Sequence, residues 1–416
     1  MDKKILKCII CFYPVLDIVY SVSVQLFHTQ FPLSQYIRIG ILAYLFIWLT
    51  QKRDKLIIFT LFVLMIVGEF TYYSLGNGAF FADIQYISKI LLFVTVIFSF
   101  DYIIKNNILT INEIVDYIIR SSYIITISVI IGLFGIGFNT YVDGRAGVKG
   151  LFLVQNAITA TLLIITPYNL YAFEAMHKKI YIVSYILALF SLLIIGTKAG
   201  VAGVIYIFII QYINYIIKSS VNSIKLSIYS FSVAISALCL FLEWNKLVGF
   251  FNYQVSSAQR WGDMFSYIVS NRNLQIMWVQ SFINTKFTFN PLWYFGVGFN
   301  TANNVLQANG ANIIEMDIYG ILYYSGIWIL LLIIIIIIKR VYFSALLVIR
   351  EKATVKSFVF LLALSVGLIH SFYGGHVIYE ALTSLYFGIS LSLVKAEFLH
   401  SRELSQNKYM IKGTLP

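Results

Sequence analysis

Glu315 and Asp317 stand two residues apart in NIIEMDIYGILYYSG, where a polar stretch runs into an apolar one. A carboxylate at such a junction can act as a general base or orient an acceptor hydroxyl. Positions i and i+2 of a helix point roughly 200° apart, so the two share one substrate only if the helix has not yet begun. The alternative is a helix N-terminus, whose dipole favours acidic side chains. A second group is cationic: Arg38, Lys89, Arg145 and Lys149 in YVDGRAGVKG, Lys198 in the turn GTKAG, Arg260 and Arg272. The planar guanidinium fork matches phosphate oxygens, so an anionic ligand would account for the set. Interfacial snorkelling, or pairing with Asp83, Asp143 and Asp263, is the competing account for any one of them. His370 and His376 flank SFYGG and could be a base, a metal pair or neither. The chain carries no Walker motif, GxSxG elbow, HExxH or carboxylate-rich metal cluster, so neither a metal nor another cofactor is expected. Cys8 and Cys11 form a CxxC inside an apolar run with no second pair, which reads as apolar filler.

The elements that must position these groups are set by composition. Of 416 residues, 60% are hydrophobic and 12% charged, about half the charged fraction of soluble domains. Such a chain cannot cover its surface with polar groups in water, but lipid solvates an apolar outer face. Each crossing takes about 20 apolar residues in a helix that satisfies its own backbone. The patterning predicts an all-α, polytopic integral membrane protein of about twelve spans, near 5–27, 36–50, 56–72, 85–104, 113–136, 151–173, 179–196, 200–217, 225–243, 318–338, 356–373 and 377–395. The N-terminal run resembles a signal peptide, but no small-residue cleavage site follows it, so it reads as an uncleaved first span. Asp17, mid-span in FYPVLDIVY, is costly in the membrane and reads as the partner of a cation or hydroxyl, with Pro14 kinking the helix one turn earlier.

Twenty of the 30 Lys and Arg fall in segments on the N-terminal side of these spans, and only three in short loops on the other side. The positive-inside rule then places both termini in the cytoplasm. The net charge of +12 does not point to nucleic acid, because the cations are scattered through short loops. The whole chain, 1–416, reads as one membrane domain with one exception to its short connections. Residues 244–317 form a large extracytoplasmic loop between the ninth and tenth spans, too polar to cross and too long for a simple link. One or two short amphipathic helices are expected there, then a glycine turn at Gly296 and Gly298. The tail from about His400 reads as polar and frayed. The seven cations above, Arg260 and Arg272 in the large loop among them, therefore gather on the outer side, against the general charge bias.

Four stretches, in order, resemble a known family. YPVLDIVY followed by PLSQYIRIGIL is similar to a Pro-x-x-Asp first span with an Arg in the second. GRAGVKGLFLVQNAITATLL resembles an Arg-x-x-Gly, Phe, Asn pattern leading into a span. LLIIGTKAGVAG resembles a Gly-Thr-Lys/Arg turn between spans. NPLWYFGVGFN, then EMDIYGILYYSGIWILLL, is similar to the closing pattern of a long loop. Together they resemble the oligosaccharide repeat-unit polymerases (Wzy type) of the O-antigen ligase/polymerase superfamily, found in capsule and exopolysaccharide clusters. The resemblance implies a GT-C-like fold and a membrane glycosyltransferase. Its donor would be a growing glycan on undecaprenyl diphosphate, and its acceptor a single repeat unit on the same lipid. Membrane lipid, a flippase and a chain-length regulator would be its other partners. The acceptor hydroxyl would attack the donor's anomeric carbon as lipid diphosphate departs. Arg145 and Arg272 would stabilise that leaving group without a metal, with Lys198, Arg38 and Arg260 behind them, while Glu315 or Asp317 would position or deprotonate the acceptor. The ligase branch has a His near the end of the large loop, where this chain has Glu315 and Asp317. That departure favours polymerase over ligase. A lipid-linked oligosaccharide flippase is the rival from another class, but such a carrier has no need of a large outer loop.

Overall fold

A computed structural model describes residues 1–29, 33–49, 51–74, 80–141, 147–218, 272–286, 292–311, 313–350 and 355–412. The span expected at 225–243, and with it Arg145, Arg260, Asp143 and Asp263, lies outside these residues. The chain is a bundle of long helices, as expected of a polytopic membrane protein. They are α1 (Lys3–Leu26), α2 (Leu33–Trp48), α3 (Lys52–Ser74), α4 (Phe80–Lys105), α5 (Ile111–Leu133), α6 (Gln155–Met176), α7 (Ile180–Ile195) and α8 (Lys198–Lys218), with a two-stranded antiparallel ribbon, β1 (Phe138–Asn139) and β2 (Val148–Gly150), between α5 and α6. In the large loop follow α9 (Arg272–Lys286), α10 (Leu292–Phe295) and α11 (Phe299–Gln307); then come α12 (Asp317–Arg350), α13 (Val355–Tyr373) and α14 (Ala381–Lys412). Among the described residues six helices are long and apolar enough to cross a membrane, and four shorter ones are apolar.

Local chemistry sets several ends. Asp2 caps α1 by accepting from the Lys4 N–H at 2.7 Å, and Thr110 and Glu113 form a reciprocal capping box at the start of α5. α7 stops at Gly196, whose left-handed conformation satisfies the last turn. α1 runs as one helix through Pro14. α14 begins at Ala381, later than expected, and its helix continues to Lys412, through the tail expected to fray.

α6 lies at the centre, against α5, α7, α13 and α14. Every residue from Ala157 to Ala172 is buried, including Thr159, Thr161, Thr166 and Asn169. A helix enclosed by other helices meets no lipid, so it tolerates hydroxyls that bond within the protein. Thr161 and Thr166 donate to carbonyls one turn back, at 2.8 and 2.6 Å, and Thr161 pairs with Thr383 of α14 at 3.0 Å.

Polar contacts sort to two ends of the bundle. At one end Lys3 pairs with Glu113, and Asp101 takes both Arg340 and Lys395, each contact at 2.6 Å. At the other, Asp83 accepts from the Asn300 N–H at 2.7 Å and Thr140 donates to the Ile195 carbonyl at 2.7 Å. The loop helices α9 to α11 belong to this second end.

The tenth span, expected as one continuous run, is broken. Gly326 has φ 84° and ψ 175°, separating a short helix from the long one that crosses. The break frees the carbonyls of Tyr323 and Tyr324, which accept from the N–H groups of Val297 and Gly298 at 2.7 and 3.2 Å. The expected turn at Gly296 and Gly298, both with positive φ, thus lies directly on the break. A Cβ on Gly326 would run into the backbone of Tyr294 and Phe295, so this approach requires glycine. Tyr72 of α3 donates to the carbonyls of Phe295 and Tyr324 and fixes the same junction.

Candidate functional site

The large loop enters α9 at Arg272 and returns to the bundle at Glu315, and the structure brings these two residues together. The Arg272 guanidinium contacts one carboxylate oxygen of Glu315 through Nε at 2.7 Å and Nη2 at 2.5 Å. Its Nη1 donates to the Tyr373 carbonyl at the end of α13, at 2.8 Å. The Asn156 amide, in the first turn of α6, donates to the same Glu315 oxygen at 3.4 Å. Glu315 itself is held at the backbone, where its N–H donates to Gln275 of α9 at 3.1 Å. The site is thus assembled from α6, α9, α13 and the segment before α12. Side-chain exposure of 14% for Arg272 and 30% for Glu315 leaves the pair reachable from outside.

Asp317 has a different setting. It is fully buried, and one carboxylate oxygen accepts from the Ser371 hydroxyl at 2.7 Å and from the Val377 and Ile378 N–H groups at 3.0 and 3.1 Å. Gly375 and His376 both have positive φ, which turns successive N–H groups inward as a nest for the carboxylate. Asp317 therefore ties the turn between α13 and α14 to the start of α12, while Glu315 faces Arg272. The two carboxylates do not converge on one point; the helix begins only at Asp317, so the i, i+2 helical argument does not apply, and their different partners keep them apart. His370 and His376 are buried beside this turn, and His370 Nδ1 lies 3.0 Å from the Gly375 carbonyl. Burial holds the His376 imidazole below its ordinary range.

Arg38 and Lys89 line a separate cavity of about 270 Å³ between α1, α2, α4, the start of α6 and the start of α14. Arg38 pairs with Asp17 at 2.5 Å, which supplies the cation expected for that carboxylate, and Lys89 pairs with Glu380 at 3.0 Å. Burial alone would raise the Glu380 carboxyl, but the cationic neighbours, Lys89 foremost, hold it below the usual range. The segment that carries Glu315 also supplies Ile313 to this cavity, so the two places are adjacent. Lys149, in β2, donates to the carbonyl of Leu153, a cavity-lining residue, at 2.9 Å, and burial lowers its ammonium. Lys198 opens α8 behind Thr197, which bonds to Thr159 of α6 at 3.1 Å. Among the described residues no three His, Cys, Asp or Glu side chains are grouped to hold a metal ion. A larger cavity of about 800 Å³ lies at the opposite end, lined by Asp101, Lys395 and His400 among others.

Sequence reasoning missed Glu380, Gln275 and Ser371, whereas Asn156 is the Asn of the pattern in GRAGVKGLFLVQNAITATLL. Glu380 lies four residues past His376 in the same turn, a spacing that could have drawn attention to it. The other two are neutral residues in helices and gave no signal. In comparison with known proteins, a family profile described as O-antigen ligase like membrane protein matches residues 1–245, more than half of the chain. No curated protein matches it.

Proposed function

The chain belongs to the O-antigen ligase-like family of membrane proteins, and from that premise we propose that it is a polymerase of lipid-diphosphate-linked oligosaccharide repeat units. The family acts at membranes in polysaccharide and O-antigen assembly, on lipid-linked glycans. The observation that carries the finer reading is the Arg272–Glu315 pair, built from the two ends of the large loop and closed against α6 and α13.

Its chemistry follows from exchange of partners. At rest the guanidinium is neutralised by Glu315. A lipid diphosphate offers the same fork two stronger acceptor oxygens, so its arrival draws Arg272 off the carboxylate. Glu315 is then free to accept the proton of the acceptor hydroxyl as that oxygen bonds to the donor's anomeric carbon. The bond from that carbon to phosphate breaks, and the leaving diphosphate carries its new charge toward Arg272. Arg145, Lys149, Lys198 and Arg260 are the further cations proposed for the diphosphate. Asp317 is proposed to act by holding the 371–378 turn, with His370 and His376 packed in it. In this reading the site faces the outside of the cytoplasmic membrane and both termini face the cytoplasm, as the charge bias suggests.

The ligase reading shares the family, the lipid carrier and the cations. A carboxylate at the loop's end, in place of the ligase branch's histidine, favours the polymerase. Purified protein in liposomes, given lipid-linked single repeat units as the only glycan, tests this. Lipid-linked chains of two or more units and released undecaprenyl diphosphate are the expected products. Unchanged single units, with coupling only to an added non-prenyl acceptor, would instead mark a ligase.

A further inference from the structure

Glu69 of α3 and Asp83 of α4 meet at the end of the bundle that carries the loop helices, and both are buried, at 7% and 2% exposure. Their side chains are hydrogen-bonded to each other. An ionised carboxylate can only accept, so one of the two must carry a proton. The backbone nearby shows which. Asp83 also accepts from the Asn300 N–H at 2.7 Å, and Asn300 is the second residue of α11. That is the contact a helix cap makes. The residue at the cap position is Gly298, which has no side chain to make it, and a Cβ there would lie 3.3 Å from Asp83 Oδ2. Asp83 thus caps α11 from another helix, and the dipole at that helix end favours its negative charge. The proton between the acids therefore belongs to Glu69. Around the pair stand Tyr72 of α3, Tyr86 of α4 and Tyr324 of α12. α10 and α11 bring no charged side chain, and among the described residues Asp83 is the one ionised group acting on Glu69.

The cap bears on the site through packing. α11 packs on α9, α4 and α12, and α9 begins at Arg272. A shift of α11 away from α4 therefore moves the helix that presents the guanidinium to Glu315. We propose that Glu69 is a positioning residue: its neutral carboxyl donates to Asp83, which holds Asp83 as the cap of α11 and, through α11 and α9, holds Arg272 against Glu315. Without that proton two like charges would touch in a dry setting and force the acids apart. The consequence for activity rests on the repeat-unit reading above; the proton and the cap do not.

Two measurements on the full chain in detergent need no knowledge of the reaction. Infrared spectra at pH 7 are expected to show a protonated carboxylic acid in the parent that Glu69→Gln removes. Hydrogen exchange at Asn300 is expected to be about tenfold faster in Glu69→Ala, the size of a lost cap. It should stay near the parent rate in Glu69→Gln, whose amide still donates to Asp83. Chain growth in liposomes should follow the same order, lowered about tenfold by Glu69→Ala and restored by Glu69→Gln. An infrared spectrum unchanged by Glu69→Gln, or exchange as fast in Glu69→Gln as in Glu69→Ala, overturns the proposal. Should Glu69→Ala fail to reach the membrane, Glu69→Met removes the donor and keeps the bulk. A parent chain that shows the acid band and the exchange order but makes no polymer refutes the polymerase reading alone, so the two failures are distinguishable.

Discussion

Arg272 makes its three hydrogen bonds within the protein, two to Glu315 and one to the Tyr373 carbonyl, and the proposed chemistry requires it to release two of them. Lysine at this position keeps the charge and loses the fork. Arg272→Ala is expected to lower chain growth by at least about a hundredfold, the usual cost of losing a group that stabilises developing charge. Arg272→Lys should fall between that variant and the parent, and Glu315→Gln should approach Arg272→Ala. Polymer formed per membrane-inserted protein is the measure; full activity in Arg272→Lys and Glu315→Gln together would make the pair merely structural. His376 carries a pH dependence. Its folded imidazole is held below the ordinary value near 6.5 by burial, so below pH 6.5 the unfolded turn binds a proton that the folded turn resists. Stability of the turn is fully present above pH 6.5 and is lost as pH falls toward the lowered value. Glu315, Glu380, Arg272 and Lys89 surround the ring electrostatically. Glu380, whose folded value is depressed, adds a similar loss only below the ordinary carboxylate range. Hydrogen exchange at Val377 and Ile378, corrected for intrinsic rate, should show weaker protection at pH 5.5 than at 7.5, and His376→Gln should flatten the difference. Equal protection at both values in the parent protein would contradict this. At this scale the sequence showed that Asp17 needed a partner, because an acid in mid-span is expensive. It could not show which one, because Arg38 meets it only through the packing of α1 on α2.

Among the elements, the turn between α13 and α14 and the break in α12 decide where the site groups stand. Gly375 has φ 63°, and a Cβ there would collide with the Glu315 carbonyl. Gly375→Ala should therefore cost more than the roughly 1–2 kcal/mol of a left-handed residue alone and should displace Glu315 from Arg272. Gly135→Ala, at φ 82° with open space around it, gives the backbone cost by itself. Thermal unfolding in detergent should separate the two, with a larger fall for Gly375→Ala and loss of polymer only there. Similar falls with polymer intact in both would refute the coupling. Most helices were legible as apolar runs of the right length, and the glycine turn at Gly296 and Gly298 was legible because glycine tolerates positive φ. The break at Gly326 was not, since 318–338 reads as one apolar run and only docking of α10 stabilises its freed carbonyls. The ribbon of β1 and β2 went unread because strands of two and three residues carry no periodicity.

For the molecule as a whole, the family profile ends at residue 245, before Arg272 and Glu315. The matched part builds the helical frame that carries Asn156 and one side of the Arg38–Lys89 cavity, and the later part brings Arg272, Glu315 and the other side of that cavity. About twelve spans were expected from composition; among the described residues six helices are long and apolar enough to cross and four shorter ones are apolar, and the expected direction rests on the charge bias alone. The convergence of α6, α9, α13 and the 313–317 segment was not countable, because it depends on contacts between residues 40 to 159 positions apart. The central claim is that this assembly joins single repeat units. Its most direct measurement is the length of lipid-linked glycan in a strain lacking the gene, and in that strain supplied with Arg272→Ala. Both are predicted to accumulate single lipid-linked units on the outer face while the parent gene restores long chains. Accumulation of long lipid-linked polymer in either strain would contradict the account.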